Sequence, residues 1–204
     1  MTTDRAITLR DWEVRAVLNG ATQIRRVVKP QPRRTEAQGI LSDMEWWTWQ
    51  TDVLYSPLAL TDNVVAAAPF QPGQRLWVRE TWAPSNDNAD SITYKADGTA
   101  QAPSLLMHDG TEVRCYWKPS IHMPRWASRI TLEVTSTGAG RVQEITYEDI
   151  LAMGWDAKTS QPMSNGTAGE DALAWAIACW NDDNKQYPWR DNTWNWVYGV
   201  RRIE

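Results

Sequence analysis

Three side chains in the sequence could together form a hydrolytic centre. Ser120 and His122 lie two positions apart, and Glu80 lies in an earlier segment with the pattern of a strand. A serine hydroxyl can attack a carbonyl, an imidazole can take its proton, and a carboxylate, or Lys118 in its place, can orient or assist the base. This interpretation requires the groups to converge within a few ångström. The alternative is that His122 is a hydrogen-bonded structural residue.

Glu80 is the most unusual of these residues because of its neighbours in the strand pattern. Leu76, Val78, Glu80 and Trp82 alternate with Trp77, Arg79 and Thr81, so the carboxylate shares a face with three apolar side chains. A carboxylate on such a face must be paired, protonated or functional, since burying it alone is costly. A structural ion pair with a core-facing arginine is the alternative to a catalytic role.

A larger set of residues could recognise a nucleic acid or a nucleobase. Arg25, Arg26 and Lys29 could contact phosphates, tryptophans could stack on a base, and polar groups could reach its edges. The predicted binding residues are Asn19, Thr22, Arg25, Arg26, Lys29, Trp77, Arg79, Trp117, Lys118, Ser120, Arg125, Trp126 and Arg129. For the basic residues the alternative is a solvated face, and for Trp117 and Trp126 it is packing against the end of the fold.

The distribution of charge supports a localised site rather than a broadly cationic surface. The net charge is −4 and the sequence pI is about 5.3, which argues against a protein that coats nucleic acid non-specifically. Residues 14–34 nevertheless carry six basic and no acidic side chains, and residues 114–132 carry four basic and no acidic ones. Residues 144–191 carry nine acidic against three basic side chains. The sequence therefore predicts a positive patch beside a negative flank.

The elements that would position these residues can be outlined from caps and periodicity. Asp11 is a candidate N-cap and Gly20 fits the residue after the helix end, so the first helix should end just before an extended segment at residues 25–29. Strands are expected near residues 76–82, 91–95 and 130–134, with surface loop at 99–111 and irregular loop at 117–129. Thr146 and Asp149 form a capping box for a short helix, residues 170–180 have one apolar helical face, and residues 194–203 alternate as a closing strand.

This order favours an α+β fold built on a small mixed β-barrel with flanking helices, because the strands are not regularly interleaved with crossover helices. The length favours a single domain over residues 1–204, with an insertion at about 33–72. The insertion contains Trp46-Trp47-Thr48-Trp49 and is expected to include a short strand or hairpin. An alternative function, a protein-interaction module, predicts that these tryptophans form an exposed apolar patch.

Targeting and metal signals are not evident in the sequence. No window resembles a signal peptide or a membrane span, so we expect a cytoplasmic protein without a membrane partner. Cys115 and Cys179 lack CxxC spacing and only two histidines accompany them, so we expect free, buried thiols and neither a metal nor a cofactor. The fourteen tryptophans against one phenylalanine are expected to be mainly core, with a few available for stacking.

Four segments together resemble ASCH domains, a branch of the PUA-like superfamily, and within it a phage- and prophage-encoded group related to N4-acetylcytidine amidohydrolases. They are residues 14–29, residues 73–82 (Gly-Gln-Arg-Leu-Trp-Val-Arg-Glu-Thr-Trp), residues 117–134, and residues 145–154 (Ile-Thr-Tyr-Glu-Asp-Ile-Leu-Ala-Met-Gly). The run Trp-Lys-Pro-Ser-Ile-His-Met-Pro-Arg-Trp is the most specific. The resemblance implies a PUA-like β-barrel with a cleft for RNA, single-stranded nucleic acid or a modified nucleoside. It also implies the host cytoplasm as location and, for an interaction module, a host protein as partner.

The residues that carry the chemistry in hydrolytic relatives are absent from the matching positions. The resemblance places the family's lysine at Ala21, its threonine at Ile24 and its helical glutamate at Met153. None of these side chains can attack a carbonyl or move a proton. We therefore expect a binding protein that has lost the amidohydrolase residues. A hydrolase that acts on an N4-acylated cytidine or on RNA through a relocated site is the enzymatic alternative.

Overall fold

The structure is a computed structural model that describes residues 4–35, 45–84, 92–98, 101–106, 109–157 and 167–203. In this part of the chain the helices are α1 (Asp11–Leu18), α2 (Pro57–Ala66), α3 (Tyr147–Ala152) and α4 (Ala168–Asp183). The strands are β1 (Arg5–Thr8), β2 (Gln23–Val27), β3 (Arg33–Thr35), β4 (Trp46–Trp49), β5 (Thr51–Tyr55), β6 (Arg75–Arg79), β7 (Trp82–Pro84), β8 (Ile92–Tyr94), β9 (Ser104–Leu106), β10 (Glu112–Arg114), β11 (Thr131–Arg141) and β12 (Trp194–Arg202). The predicted α+β class is confirmed.

The chain divides into two compact units. Unit 1 comprises Met1–Thr22, Gly73–Val134 and Val200–Glu204, and unit 2 comprises Gln23–Pro72 and Thr135–Gly199. Each unit is assembled from segments that are distant in sequence. The 33–72 segment thus belongs entirely to unit 2.

Unit 1 is organised around β6. This strand pairs in parallel with β1 and antiparallel with β11, and it places Leu76 and Val78 in the core at 0% and 1% exposure. The predicted strand through Trp82 is interrupted, because β6 ends at Arg79 and the chain begins a new strand, β7, at Trp82. Strand β7 pairs with β8 rather than continuing the first ladder. The expected loop at 99–111 contains β9, which pairs with β10; residues 99, 100, 107 and 108 lie outside the described part.

Helix α1 ends where the sequence predicted. Gly20 has φ of +97°, a conformation that side chains with a Cβ disfavour, and its amide donates to the Val17 carbonyl. The N-terminus differs by one position, since Arg10 is the N-cap and its amide donates to Glu13 Oε2 at 2.9 Å. Asp11 is therefore the first helical residue, where an acidic side chain complements the helix dipole.

Unit 2 contains more regular structure in the 33–72 segment than the sequence indicated. Strands β3, β4 and β5 form an antiparallel sheet, and α2 follows after an N-cap at Ser56 and a proline at its first position. Strand β2 pairs antiparallel with β12, which confirms the predicted closing strand. Residues 36–44 lie outside the described part.

The capping box predicted at Thr146 is confirmed, and the structure shows a second one at Thr167. Thr146 caps α3 together with Asp149, and Thr167 caps α4 together with Glu170. The two helices bury a shared apolar cluster formed by Ile150, Trp155, Ala172 and Ala176. The apolar helical face predicted within residues 170–180 therefore contributes to a buried cluster.

No sheet closes on itself in the described part of the chain. Strand β1 pairs with β6 alone and β2 pairs with β12 alone, so both keep an unpaired edge. The barrel expected from the strand order is consequently not formed by these residues.

Candidate functional site

The 117–129 loop of unit 1 combines exposed recognition groups with a buried anchor. Two 3₁₀ turns, Ser120–His122 and Arg125–Ala127, each start directly after a proline. The prolines prevent a regular ladder from forming, which agrees with the irregular loop predicted from the sequence.

The loop is fixed to unit 1 by both side chains and backbone. Met123 and Ala127 are 2% and 1% exposed and pack in a cluster with Trp82. The backbones of Lys118 and Trp82 exchange two hydrogen bonds, of 2.8 and 3.3 Å. Tyr94 Oη donates to the Ala127 carbonyl at 2.9 Å. These contacts anchor the loop to the buried cluster, so that its outer residues are held in place.

Large apolar side chains point outward from this anchored loop. Trp126 is 72% exposed, Ile121 is 64% exposed, and Tyr116, directly before the loop, is 75% exposed. The Trp126 ring meets buried Trp82 edge-on, with centroids 6.3 Å apart and an interplanar angle of 80°. The T-shaped contact orients the indole while leaving most of its surface open to a stacking partner.

Two basic side chains flank these rings without strong protein partners. Lys118 Nζ lies 4.7 Å from the centroid of Trp82, and Arg125 Nη2 lies 3.5 Å from Asp4 Oδ2 and 3.4 Å from Thr131 Oγ1. Both side chains are exposed, and exposed ion pairs of this length contribute little. Lys118 and Arg125 therefore remain able to bind an anionic group.

Arg129, by contrast, is committed to a structural network. It donates from Nε and Nη2 to the two Glu80 oxygens at 3.0 Å each, and from Nη1 and Nη2 to Asp97 at 2.9 and 2.7 Å. Its guanidinium also lies 4.0 Å from the Tyr94 ring centroid. Burial acts to lower the pKa of Arg129, but the hydrogen bonds to Glu80 and Asp97 raise it above the ordinary value. Arg129 could bind a ligand, as predicted, only by giving up some of these hydrogen bonds.

Glu80 is the buried carboxylate that the strand pattern indicated. Its residue exposure is 1%, and burial raises the pKa of its carboxyl above the ordinary value, although Arg129 offsets part of this effect. The structure pairs Glu80 with Arg129. This is the structural ion pair that the sequence left open as the alternative to a catalytic role.

The hydrolytic set is not joined by hydrogen bonds in the described part of the chain. Both carboxylate oxygens of buried Glu80 accept hydrogen bonds from Arg129, whereas His122 is exposed and Ser120 is half-buried. A carboxylate in this arrangement does not orient the His122 imidazole.

The first two predicted phosphate contacts, Arg25 and Arg26, also have protein partners. Arg25 Nη2 lies 2.8 Å from Asp149 Oδ2, and its side chain is only 6% exposed. Its Nε donates to Gln23 Oε1 at 3.0 Å and its Nη1 to Asn195 Oδ1 at 3.2 Å. Burial lowers the pKa of Arg25, and Asp149 opposes that shift. Arg26 donates from Nη1 to the Arg25 carbonyl at 2.7 Å.

The remaining predicted residues fall in both units. Lys29 of unit 2 is exposed with Nζ 5.3 Å from the Tyr187 ring centroid. In unit 1, Asn19 and Thr22 are exposed at the end of α1, and Trp117 is half-buried. Trp77 is buried at 9% exposure, with the guanidiniums of Arg79 and Arg125 at 4.6 and 6.0 Å from its ring centroid. Trp77 therefore has little face left for a base.

The tryptophan-rich strand β4 does not form the exposed patch that the protein-interaction alternative predicts. Trp47 and Trp49 are 8% and 6% exposed, and Trp46 is half-buried. Trp49 Nε1 donates to the Pro30 carbonyl at 2.8 Å, and the Trp47 ring packs edge-on against Trp194. These rings form core of unit 2.

Two of the three positions at which the resemblance would place reactive residues have packing roles. Ile24 is 3% exposed and Met153 is 8% exposed. Ala21 is half-buried and donates from its amide to the Ala16 carbonyl. The side chains that stand there supply apolar bulk instead of reactive groups.

Sequence reasoning missed Tyr116 and Ile121 as members of the exposed surface. Their neighbours Met123 and Ala127 are buried, and an irregular loop has no periodicity from which inward and outward residues could be separated. We call the exposed group formed by Tyr116, Lys118, Ile121, Arg125 and Trp126 the loop surface.

Comparison with known proteins gave no match: no family model, curated protein or solved structure is significantly similar to the chain. Among the described residues, no helix has the length and apolar character needed to cross a membrane, and no group of three histidine, cysteine or acidic side chains is placed to hold a metal ion. Cys115 and Cys179 do not form a disulfide and are half-buried, so they are less buried than expected.

Proposed function

We propose that this protein binds RNA or another single-stranded nucleic acid through the loop surface of unit 1. The observation that carries the proposal is Trp126, an indole that is 72% exposed yet fixed edge-on against Trp82. An aromatic ring held in place before binding loses little conformational freedom when a base stacks on it. Tyr116 offers a second exposed ring next to the same loop.

The charges around these rings fit an anionic, base-bearing partner. Lys118 and Arg125 lie on a stretch, residues 114–132, that carries no acidic side chain. Phosphates prefer such positions, while unstacked bases prefer exposed aromatic rings. A single strand presents both groups at once, whereas a regular duplex keeps its bases stacked inside. The loop surface therefore favours single strands.

The proposed family is the ASCH branch of the PUA-like superfamily. The resemblance in the 117–134 segment supports it, because the same segment supplies the exposed ring, the basic side chains and the buried anchor. The chain would be a member that binds without the hydrolytic residues of its relatives. Its proposed partner is RNA, single-stranded DNA or a modified nucleoside in the cytoplasm of a phage host.

The charge contribution can be tested by the salt dependence of binding. Fluorescence anisotropy with a labelled 12-nucleotide RNA should give a slope of log affinity against log salt that becomes shallower by about 1.4 when Lys118 and Arg125 are both changed to alanine. The control variant removes two exposed cations of unit 2, Lys185 and Arg190, and should keep the native slope. Equal slopes for all three proteins would remove the loop surface from the proposed interface.

Hydrolysis of N4-acetylcytidine is not expected of this protein. Ala21, Ile24 and Met153 provide neither a nucleophile nor a proton donor. Chromatography of the nucleoside after incubation with micromolar protein should show no deacetylation above the buffer control. Turnover that saturates with substrate would overturn this part of the proposal.

A further inference from the structure

Unit 2 contains a cleft that is separate in sequence from the loop surface. Its volume is about 820 Å³, and its lining includes Trp47, Arg141, Glu144 and Trp194. All lining residues belong to unit 2. The volume lies within the range of small-molecule sites, roughly 300–1,000 Å³.

Arg141 is the feature of this cleft that points to a ligand. Its guanidinium carbon lies 5.2 Å from the Trp47 ring centroid and 6.0 Å from that of Trp194. Its Nε is buried without a hydrogen-bond partner among the described residues, and burial lowers the pKa of the guanidinium. Arg79 also has a buried Nε without a partner among the described residues, but it does not line the cleft, whereas Arg141 does.

The cleft wall holds further polar groups without protein partners. Thr193 Oγ1 and Trp194 Nε1 are buried and accept or donate no hydrogen bond within the described part of the chain. The two residues are 7% and 6% exposed. A buried polar group without a partner is costly, and a ligand or bound solvent can complete its bonding.

The carboxylates of the cleft restrict which ligand fits. Glu144 Oε2 accepts from the backbone amide of Arg141 at 3.0 Å, and Glu45 pairs with Arg34 at 3.1 Å. Asp191 also lines the cleft. The lining therefore carries three acidic groups against two arginines, which opposes a multiply charged anion such as a phosphate monoester. A ligand with one carboxylate and one cationic group would match both signs.

We propose that this cleft binds a zwitterionic amino carboxylate of about the size of a dipeptide. The ligand carboxylate would accept hydrogen bonds from the Arg141 guanidinium, since guanidinium and carboxylate form two parallel hydrogen bonds. The ligand ammonium group would take Glu144 or Asp191. This binding site is independent of the proposed nucleic-acid surface, which lies in unit 1.

The proposal is tested by calorimetric titration of the full chain with glycyl-leucine as the probe. Parallel titrations use glycyl-leucinamide, which lacks the carboxylate, N-acetylglycyl-leucine, which lacks the ammonium group, and inorganic phosphate. Saturable binding of glycyl-leucine is expected, with an affinity about tenfold or more higher than that of either blocked form. No saturable binding of glycyl-leucine, equal binding of the amidated form, or preference for phosphate would overturn the proposal.

Substitutions at two arginines test whether the probe binds in this cleft. Arg141→Gln should weaken glycyl-leucine binding by about tenfold or more, whereas Arg201→Gln, which removes an exposed arginine of unit 1, should leave it unchanged. Unchanged binding by Arg141→Gln would contradict the assignment. If that variant does not fold, Arg141→Lys keeps the charge, and the comparison of free and amidated probes on the native protein still decides the question.

Discussion

Replacing Asp149 should destabilise unit 2 far more than an exposed capping residue would. Asp149 has two functions in the structure. It accepts from the Thr146 amide at 3.0 Å as part of a capping box, and its carboxylate lies 2.8 Å from Arg25, whose side chain is 6% exposed. Asp149→Ala would leave that arginine buried without its charge partner.

The magnitude follows from those two functions. Breaking a buried ion pair on one side costs about 3–5 kcal/mol, and loss of a capping contact costs about 1 kcal/mol. Glu170→Ala is the matched control, because Glu170 accepts from the Thr167 amide at 2.6 Å in the capping box of α4 but pairs with no buried arginine among the described residues. We expect the control to lose only the capping contribution.

Urea denaturation at neutral pH measures the free energy of unfolding of both variants. A double variant separates the contribution of the ion pair from that of each residue alone. Arg25→Met combined with Asp149→Ala should be less destabilised than the sum of the single changes, since the double change removes both charges. Equal losses for Asp149→Ala and Glu170→Ala would refute the structural role of the pair.

The pH dependence gives a further check on the same residue. Burial acts to raise the pKa of Asp149, but hydrogen bonds from Gln23 and Thr146 and the charge of Arg25 together lower it below the ordinary value of 3.8. The unfolded chain then binds the proton more tightly, so the stabilisation is present above that value and is lost as the pH falls through the folded pKa. The native protein should lose more stability than Asp149→Ala over this acidic range, and parallel losses would contradict the shift.

Two other regions give predictions of the same kind. Arg129→Ala should lower the free energy of unfolding by about 3–5 kcal/mol, because it leaves Glu80, 1% exposed, without its partner. Asp97→Ala should lower it by only about 1 kcal/mol, since Asp97 is exposed. Urea denaturation compares the two variants, and equal losses would contradict the network. Gly20→Ala should destabilise unit 1 by about 1 kcal/mol, because φ at this position is +97°, whereas Gly169→Ala in the first turn of α4 should be neutral or stabilising. Thermal melting distinguishes the two, and a stabilising Gly20→Ala would disprove the cap geometry.

Local signals in the sequence were sufficient for several elements. The end of α1 follows from Gly20, and the capping box at Thr146 marks the start of α3, because each signal depends on residues a few positions apart. The buried carboxylate at Glu80 was also foreseeable from its apolar neighbours. These features are encoded within one turn or one strand.

Long-range partners could not be derived in the same way. Arg25 reads as a free cation in a basic stretch, but its partner Asp149 lies 124 positions further along the chain. Helix α2 was missed because its sequence, Pro57–Ala66, has no strong amphipathic period and follows an aromatic strand. The composition favours core for most tryptophans, but it cannot place those of β4 until their partners, Pro30 and Trp194, are known.

The most direct test of the proposed function is the affinity of Trp126→Ala for single-stranded RNA. Tyr147→Ala is the matched control, because Tyr147 is also an exposed ring, 41% accessible, that packs edge-on against a buried tryptophan. Anisotropy titrations with a labelled 12-nucleotide RNA should show an affinity roughly 5- to 150-fold lower for Trp126→Ala than for the native protein, as expected for the loss of one stacked base. The control should bind like the native protein. Equal affinities for all three, or no saturable binding by the native protein, would contradict nucleic-acid recognition through the loop surface.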